Sequence, residues 1–274
     1  MNARIVDTTL RDGEQKAGIA FSIEDKVEIA KLINAMDIFQ IEAGIPAMGG
    51  DEKESIKEIV KLGLKSKISS WNRMSIKDIQ QSMDCGVDII HISVPSSDIQ
   101  IQSKLGKDKS WVIDNLSKCI TYATCKEYEI TVGLEDASRA NMDFLIEICK
   151  LVFEMGVKRV RYADTVGILC PRKTVYDIKK IMNEVPIQIE AHMHNDFGMA
   201  MANSMAAVDA GAQYVDCTIS GIGERAGNCN FSRFVRVLYE LTGEDLFSKD
   251  YKSLIRKEEN IKHIIKYGIE HLLV

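Results

Sequence analysis

The chain has 274 residues, 46% hydrophobic and 27% charged, which suits one large α/β domain with a sizeable core. A formal net charge of −5 gives no broad basic field for nucleic acid, and no apolar run is long enough to span a membrane. Seven scattered cysteines, with no Cys-x-x-Cys pair and no secretory segment ahead of Ile5-Val6-Asp7, point to thiols buried as small hydrophobes in a reducing cytoplasm.

Strand-like and helix-like stretches alternate from the N-terminus. A β-rich run at residues 4–10 leads to a helical pattern at 22–35, opened by Ser22 with Asp25 three residues on. A strand at 38–41 and a helix at 52–62 come next, then a strand at 67–71 and a helix at 76–85. The strand at 87–92 is followed by a polar stretch, 93–110, placed for a substrate-covering loop, and by a helix at 111–125 behind Ser110. Strands at 130–134, 157–161, 187–191 and 214–217 then alternate with helices at 141–154, 172–182, 199–210 and 229–241. Gly63, Gly86, Gly156 and Gly211 stand just before strands, where helix-ending glycines belong.

Eight strand–helix units predict a (β/α)8 TIM barrel over residues 1–243. A doubly wound sheet is the competing architecture, and the even spacing of the units favours the barrel. Residues 244–274 make a lysine-rich C-terminal helical extension, patterned at 254–273, that pads the barrel or begins an oligomer contact. A barrel carries its chemistry at the C-terminal ends of its strands. The reactive residues fall there. Arg11, Asp12, Glu14 and Gln15 follow the first strand, Glu42 ends the second, and Arg73 follows the third. His91 and Ser93 belong to the fourth, Glu135 and Arg139 to the fifth, Asp164 and Thr165 to the sixth, and His192 and His194 to the seventh.

His192 and His194 are two apart at a strand end, so both side chains share one face. With Asp12, and Asn228 offering an amide oxygen, they compose a divalent-metal site that keeps positions open for a chelating 2-oxo acid. The bland alternative is a pair of histidines hydrogen-bonded in a polar mouth; Asp12 and the following Asn195-Asp196 favour the metal, with Asp196 expected to fix an imidazole tautomer. Gly221, Gly223 and Gly227 mark a tight loop before the last helix, which either cradles a phosphate or is a plain turn. Arg11 either stabilises a developing oxyanion or forms a structural ion pair with Asp12.

The stretch Asp7-Thr8-Thr9-Leu10-Arg11-Asp12-Gly13-Glu14-Gln15, the His192-x-His194 pair and Gly221-x-Gly223-Glu224-Arg225-x-Gly227-Asn228 resemble the three signatures of the DRE-TIM metallolyase family. Within it the chain resembles the Claisen-condensing synthases of isopropylmalate, citramalate and homocitrate. The segments at 45–49, 135–139 and 163–167 are most similar to homocitrate synthases of nitrogen-fixing bacteria. The resemblance covers roughly residues 3–243. It implies condensation of acetyl-CoA with a 2-oxo acid, 2-oxoglutarate in the homocitrate case, followed by thioester hydrolysis. It further implies a metal shell (magnesium, manganese or zinc) of Asp12, His192, His194 and Asn228, with Arg11 polarising the keto oxygen. Thr165 would hold the α-carboxylate, and Glu135 would act in catalysis or orient the acetyl group. Gln15, Glu42 and Arg139 would serve the pocket, with Arg73, His91 and Ser93 near the distal part of the acid, where a carboxylate favours a cation or several hydroxyls.

The resembling synthases continue past the barrel and add a catalytic histidine from helical subdomains. Here only His263 and His271 follow the Gly-rich loop, and neither stands in that motif; both read as surface helix residues. The expected partners are therefore a second subunit supplying that region, or a second copy in a homodimer. A self-sufficient chain using a barrel residue or a metal-bound water, and an acyl-CoA lyase of the hydroxymethylglutaryl-CoA type, are the alternatives. Against the lyase, Cys217 and Cys229 lie outside the Gly223-Glu224-Arg225 loop, where those lyases carry their cysteine. A barrel that binds a 2-oxo acid without turnover is the non-enzymatic reading, disfavoured by the intact Arg11, Asp12, His192 and His194 set.

Overall fold

The structure is a computed structural model that describes residues 3–243 and 251–268. Eight strands form it: β1 (Arg4–Asp7), β2 (Gln40–Glu42), β3 (Lys67–Arg73), β4 (Ile89–Pro95), β5 (Glu129–Glu135), β6 (Arg159–Asp164), β7 (Gln188–Met193) and β8 (Tyr214–Cys217). Each pairs with the next in parallel, and β8 closes on β1 through Arg4↔Tyr214 to Asp7↔Cys217. This is the predicted (β/α)8 barrel. Around it run α1 (Ile23–Asn34), α2 (Gly50–Lys61), α3 (Ile76–Cys85), the short α4 (Asp98–Gln100), α5 (Lys109–Thr124), α6 (Met142–Glu154), α7 (Pro171–Glu184), α8 (Ala200–Ala210) and α9 (Phe231–Thr242). A last helix, α10 (Tyr251–Tyr267), follows.

Local chemistry sets the element ends. Ser22 and Asp25 form a reciprocal capping box at the start of α1. Asp108, not Ser110, caps α5, accepting from the Trp111 N–H at 2.8 Å, because the helix begins two residues earlier than the apolar pattern does. The first strand stops at Asp7 rather than running to residue 10. The Asp7 carboxylate accepts from the Thr9 N–H at 2.9 Å and the Thr9 hydroxyl at 3.1 Å, which turns the chain. The stretch expected as a polar loop after β4 is largely folded: the strand runs to Pro95, then come α4 and a π-helical turn at Ile101–Leu105 that ends on left-handed Gly106. The C-terminal helix pads the barrel. Leu254, Ile261 and Ile264 are buried in the common core, and Lys257 donates to the Ala35 carbonyl at the end of α1. His271 lies outside the described residues.

Outward-facing strand residues such as Ile189, Ala191 and Met193 meet the helices in one apolar core. The barrel interior is different. Arg159 of β6 reaches across to Gln40 of β2 at 2.6 Å, and Arg161 reaches Glu42 of β2 at 2.7 Å and Asp216 of β8 at 2.9 Å. Glu190 of β7 completes the cluster through both arginines. Burying such charges is tolerable only because each has opposite partners. This network is the floor on which the mouth of the barrel stands. Among the described residues, no helix is long and apolar enough to cross a membrane.

Candidate metal centre and active-site cavity

The turn after β1 is pinned to the loop after β8, since Thr9 Oγ1 accepts from the Ile219 N–H at 2.9 Å. Arg11 and Asp12 are thereby held over the barrel mouth. Asp12 Oδ2 lies 3.4 Å from His192 Nε2 and 3.7 Å from His194 Nε2. The two Nε2 atoms are 3.1 Å apart. Strand alternation brings both rings to one face, as the spacing predicts, and a bridge between His194 and Asn228 fixes the second just past the end of β7. Ligand atoms from Asp12, His192 and His194 all lie within 4.8 Å of one another, and all three residues are buried.

The residue that orients His192 is Asp216, whose Oδ2 meets Nδ1 at 2.8 Å. Asp196, expected in that role, is turned outward and paired with Arg225 at 2.7 Å; the β7–β8 neighbourhood supplies a carboxylate from the adjacent strand instead. Burial would lower the His192 pKa, but Asp12 and Asp216 overcome it and raise it to about 9. Burial, followed by the neighbouring His192 charge, pushes His194 down to about 3. Burial opposes ionisation of Asp12, yet Arg11 and the imidazoles hold its carboxyl well below the usual range. One carboxylate and two imidazoles at this spacing fit a divalent first-row ion or magnesium. Among the described residues the buried Asn228 Oδ1 has no hydrogen-bond partner, consistent with a site whose polar groups have a further occupant to satisfy.

The Gly-rich loop is shaped by close approach. A Cβ on Gly223, at φ 154°, would fall 2.0 Å from Asn228 Nδ2 and 2.7 Å from Asp12 Oδ1. A Cβ on Gly227 would fall 2.0 Å from the Gly221 carbonyl. Gly221, Gly223 and Gly227 thus let the loop fold tightly enough for Asn228 Nδ2 to donate to Asp12 Oδ1 at 2.7 Å. From this loop Glu224, rather than a glycine, lines the cavity.

That cavity has a volume of about 210 Å³. Arg11, Asp12, Gln15, His91, Ser93, Glu135, Thr165, His192 and His194 all line it, so one mouth gathers residues from strands spread along the chain. Arg11 donates Nε to Glu42 at 2.5 Å and Nη1 to Asp12 and Gln15 at 2.9 and 3.2 Å. Glu42 is fully buried beneath Arg11, and Arg161 holds it from below; it does not line the cavity. Thr165 Oγ1 accepts from the Asp136 N–H at 2.8 Å, which leaves the hydroxyl hydrogen to point elsewhere. His91 Nδ1 sits 2.9 Å from Thr131 Oγ1, and its Nε2 faces Gly133, where a Cβ would stand 2.5 Å away. Burial, then Arg161, lowers the His91 pKa to about 3, so the ring is neutral. Arg73 and Arg139 are not brought to the cavity: Arg73 is exposed and paired with Asp78, and Arg139 is paired with Asp136.

Sequence reasoning missed Trp71, Lys104, Arg161 and Asp216. A signal existed for Arg161: arginines at 159 and 161 alternate with Val160 and Tyr162, so a strand buried on both faces carries two charges on one of them. Lys104 had no such signal, because it sits in a polar stretch of ordinary appearance.

A closed parallel barrel with a buried carboxylate–imidazole triad at the C-terminal mouth defines a metal-binding (β/α)8 protein, and residues 2–261 match the HMGL-like family. The chain belongs to that family, the DRE-TIM metallolyases of the sequence motifs. It is 61% identical to the homocitrate synthase subunit alpha of Clostridium pasteurianum, over 97% of this chain and 99% of that protein. It is 48% identical to 2-isopropylmalate synthase 2 of Caldanaerobacter subterraneus subsp. tengcongensis, covering 88% of this chain but 63% of the relative. In structure it is similar to the hydroxymethylglutaryl-CoA lyase from Pseudomonas aeruginosa, with a TM-score of 0.83, 18% identity, and coverage of 99% of this chain and 97% of that one. The last likeness is one of fold.

Proposed function

We propose that this chain is the catalytic barrel of a homocitrate synthase, condensing acetyl-CoA with 2-oxoglutarate and hydrolysing the resulting thioester to homocitrate and CoA. The observation that carries this reading is the Asp12, His192 and His194 triad with Arg11 beside it, in a chain 61% identical to a homocitrate synthase subunit alpha. In this reading the barrel spans residues 1–243 and the extension 244–274. Isopropylmalate and citramalate synthase-like chemistry differs only in the acid accepted.

Asp12, His192 and His194, with Asn228, hold the ion, while Asp216 keeps the His192 proton on Nδ1 and so presents Nε2 as a lone pair. When bound, the ion supplies Lewis acidity to the keto group of the acid. Arg11, clamped by Glu42, directs its planar N–H edge at the keto oxygen and stabilises the alkoxide that forms there. The Thr165 hydroxyl, its oxygen already accepting from Asp136, donates to the α-carboxylate. Glu135, at the end of β5 in the same cavity, accepts the acetyl methyl proton or orients the acetyl group. Gln15 braces Arg11 from the rim. By analogy with the relative's name, a second subunit completes the enzyme.

The test is acetyl-CoA-dependent thiol release by the protein with manganese or magnesium. It is run with 2-oxoglutarate, 2-oxoisovalerate, pyruvate or no acid, with and without host extract. Release specific to 2-oxoglutarate supports the proposal. Release with another acid reassigns the substrate, and release from none, with extract present, refutes condensation.

A further inference from the structure

A 2-oxo acid held at the metal triad extends its distal end across the barrel. The triad and its neighbour Asn228 come from the turn after β1, the end of β7 and the loop after β8; in a closed eight-stranded barrel the facing wall is β4 and β5. Among the described residues, the arginines and lysines lining the cavity are Arg11, Arg161 and Lys104. Arg11 is engaged at the triad by Asp12 and Glu42. Arg161 lies in the floor among Glu42, Glu190 and Asp216, three carboxylates for one guanidinium. Arg11 is committed to the triad end of the cavity and Arg161 to its floor, so neither is placed to meet a distal carboxylate at the facing wall.

Lys104 is different in each respect. It stands on the facing wall, on the π-helical turn between β4 and α5, and its ion-pair partner is the single carboxylate of Glu135. It is 51% exposed, so its ammonium stays in reach of water while it exchanges partners, and the less exposed Glu135 keeps the Ser93 hydroxyl beside its other oxygen. The turn that carries it is anchored by buried Ile101 and stopped by Gly106, and single π turns recur at functional sites. On the same wall His91 is neutral and Ser93 has a hydroxyl, giving hydrogen bonds but no countercharge.

We propose that Lys104 is the specificity-determining cation of the cavity: it receives the distal carboxylate of a dicarboxylic 2-oxo acid, exchanging Glu135 for it. The exchange matches one carboxylate with another, so the lysine stays paired in both states, while Glu135 is released beside the substrate. An acid with an apolar end offers Lys104 nothing and leaves Glu135 bound. This rests on the condensing-enzyme reading above and names how the site chooses its acid.

The test is calorimetric binding to the manganese-loaded protein, which needs no turnover and no second subunit. 2-Oxoglutarate, 2-oxobutyrate and CoA are titrated into the natural protein, Lys104→Met and Lys104→Arg. Because Lys104 is half-exposed and trades one carboxylate for another, the net contact predicts about 3- to 10-fold weaker 2-oxoglutarate binding in Lys104→Met. 2-Oxobutyrate and CoA binding should be unchanged, and Lys104→Arg should retain most of the affinity. Unaltered 2-oxobutyrate binding also reports that the variant is folded and metal-loaded. Equal losses for both acids, no loss for either, or a loss confined to CoA would overturn the assignment. If the natural manganese-loaded protein binds neither acid, the condensing-enzyme reading itself fails, a result distinct from any confined to the variants.

Discussion

Replacing Asp216 by Asn isolates the carboxylate behind the metal site. Asp216 Oδ2 is 2.8 Å from His192 Nδ1, and an amide oxygen can occupy the same place, so the tautomer survives while the charge is lost. Arg161 keeps Glu42 and Glu190, so the barrel floor stays paired. Losing such an outer partner weakens metal binding by about 10- to 100-fold, or about 1.4 to 2.7 kcal/mol. That loss is masked at neutral pH. His192, raised to about 9 by burial-opposing Asp12 and Asp216, binds a proton that the ion must displace, so natural affinity falls as pH drops below that value. At pH 7, two units lower, proton competition costs the natural protein on the order of 100-fold. Asp216→Asn lowers the His192 pKa and escapes part of this cost. Manganese binding is therefore to be titrated anaerobically from pH 6.5 to 9.5, with proton release read from buffers of different ionisation enthalpy. The variant should be weaker by the full factor near pH 9, approach the natural protein near pH 7, and release fewer protons there. Coincident affinities and pH slopes would refute the role given to Asp216.

Arg11→Lys should leave manganese content intact and lower kcat by about 100- to 1,000-fold, because a point charge cannot serve Glu42 and the keto oxygen together; an unchanged rate removes Arg11 from the chemistry. Gly223→Ala should displace Asn228 and Asp12, since its Cβ would lie 2.0 Å from Asn228 Nδ2, and metal content after desalting should drop in a protein that still unfolds cooperatively. Normal occupancy would show that the loop need not approach so closely. Burial pushes the Asp7 carboxyl from 3.8 up to about 7, so the native state keeps a proton the unfolded chain has released. Stability should therefore decline as pH rises from about 4 to about 7, by up to the order of 4 kcal/mol for this group. Asp7→Asn should flatten that part of the profile in urea titrations, and an undiminished slope would exonerate Asp7.

The barrel was legible in the chain because its causes are local. Apolar strand runs and helix periodicity recur eight times, with a glycine before four of the strands, and each unit specifies itself. The triad was legible for a similar reason: two histidines at strand spacing must share a face, and strand-end position in a barrel directs Asp12 to the same mouth. What sequence reading placed wrongly turned on which partner captures each charge. Asp196 is two residues from His194 in sequence, yet Asp216, on the next strand, is the residue that touches His192, because parallel pairing of β7 with β8 makes strand neighbours closer than chain neighbours. Arg73 has the right charge at a strand end, but Asp78 one helical turn on captures it outside the cavity.

Residue types and periods by themselves determined the architecture, the mouth and the metal-binding chemistry. Only the tertiary structure decided which charge answers which. The Arg161 floor beneath Glu42 and the Lys104–Glu135 pair on the far wall join residues from strands that the sequence keeps apart. Opposite charges inside a barrel are matched by closure of the sheet, a condition on all eight strands at once that no single stretch of sequence carries.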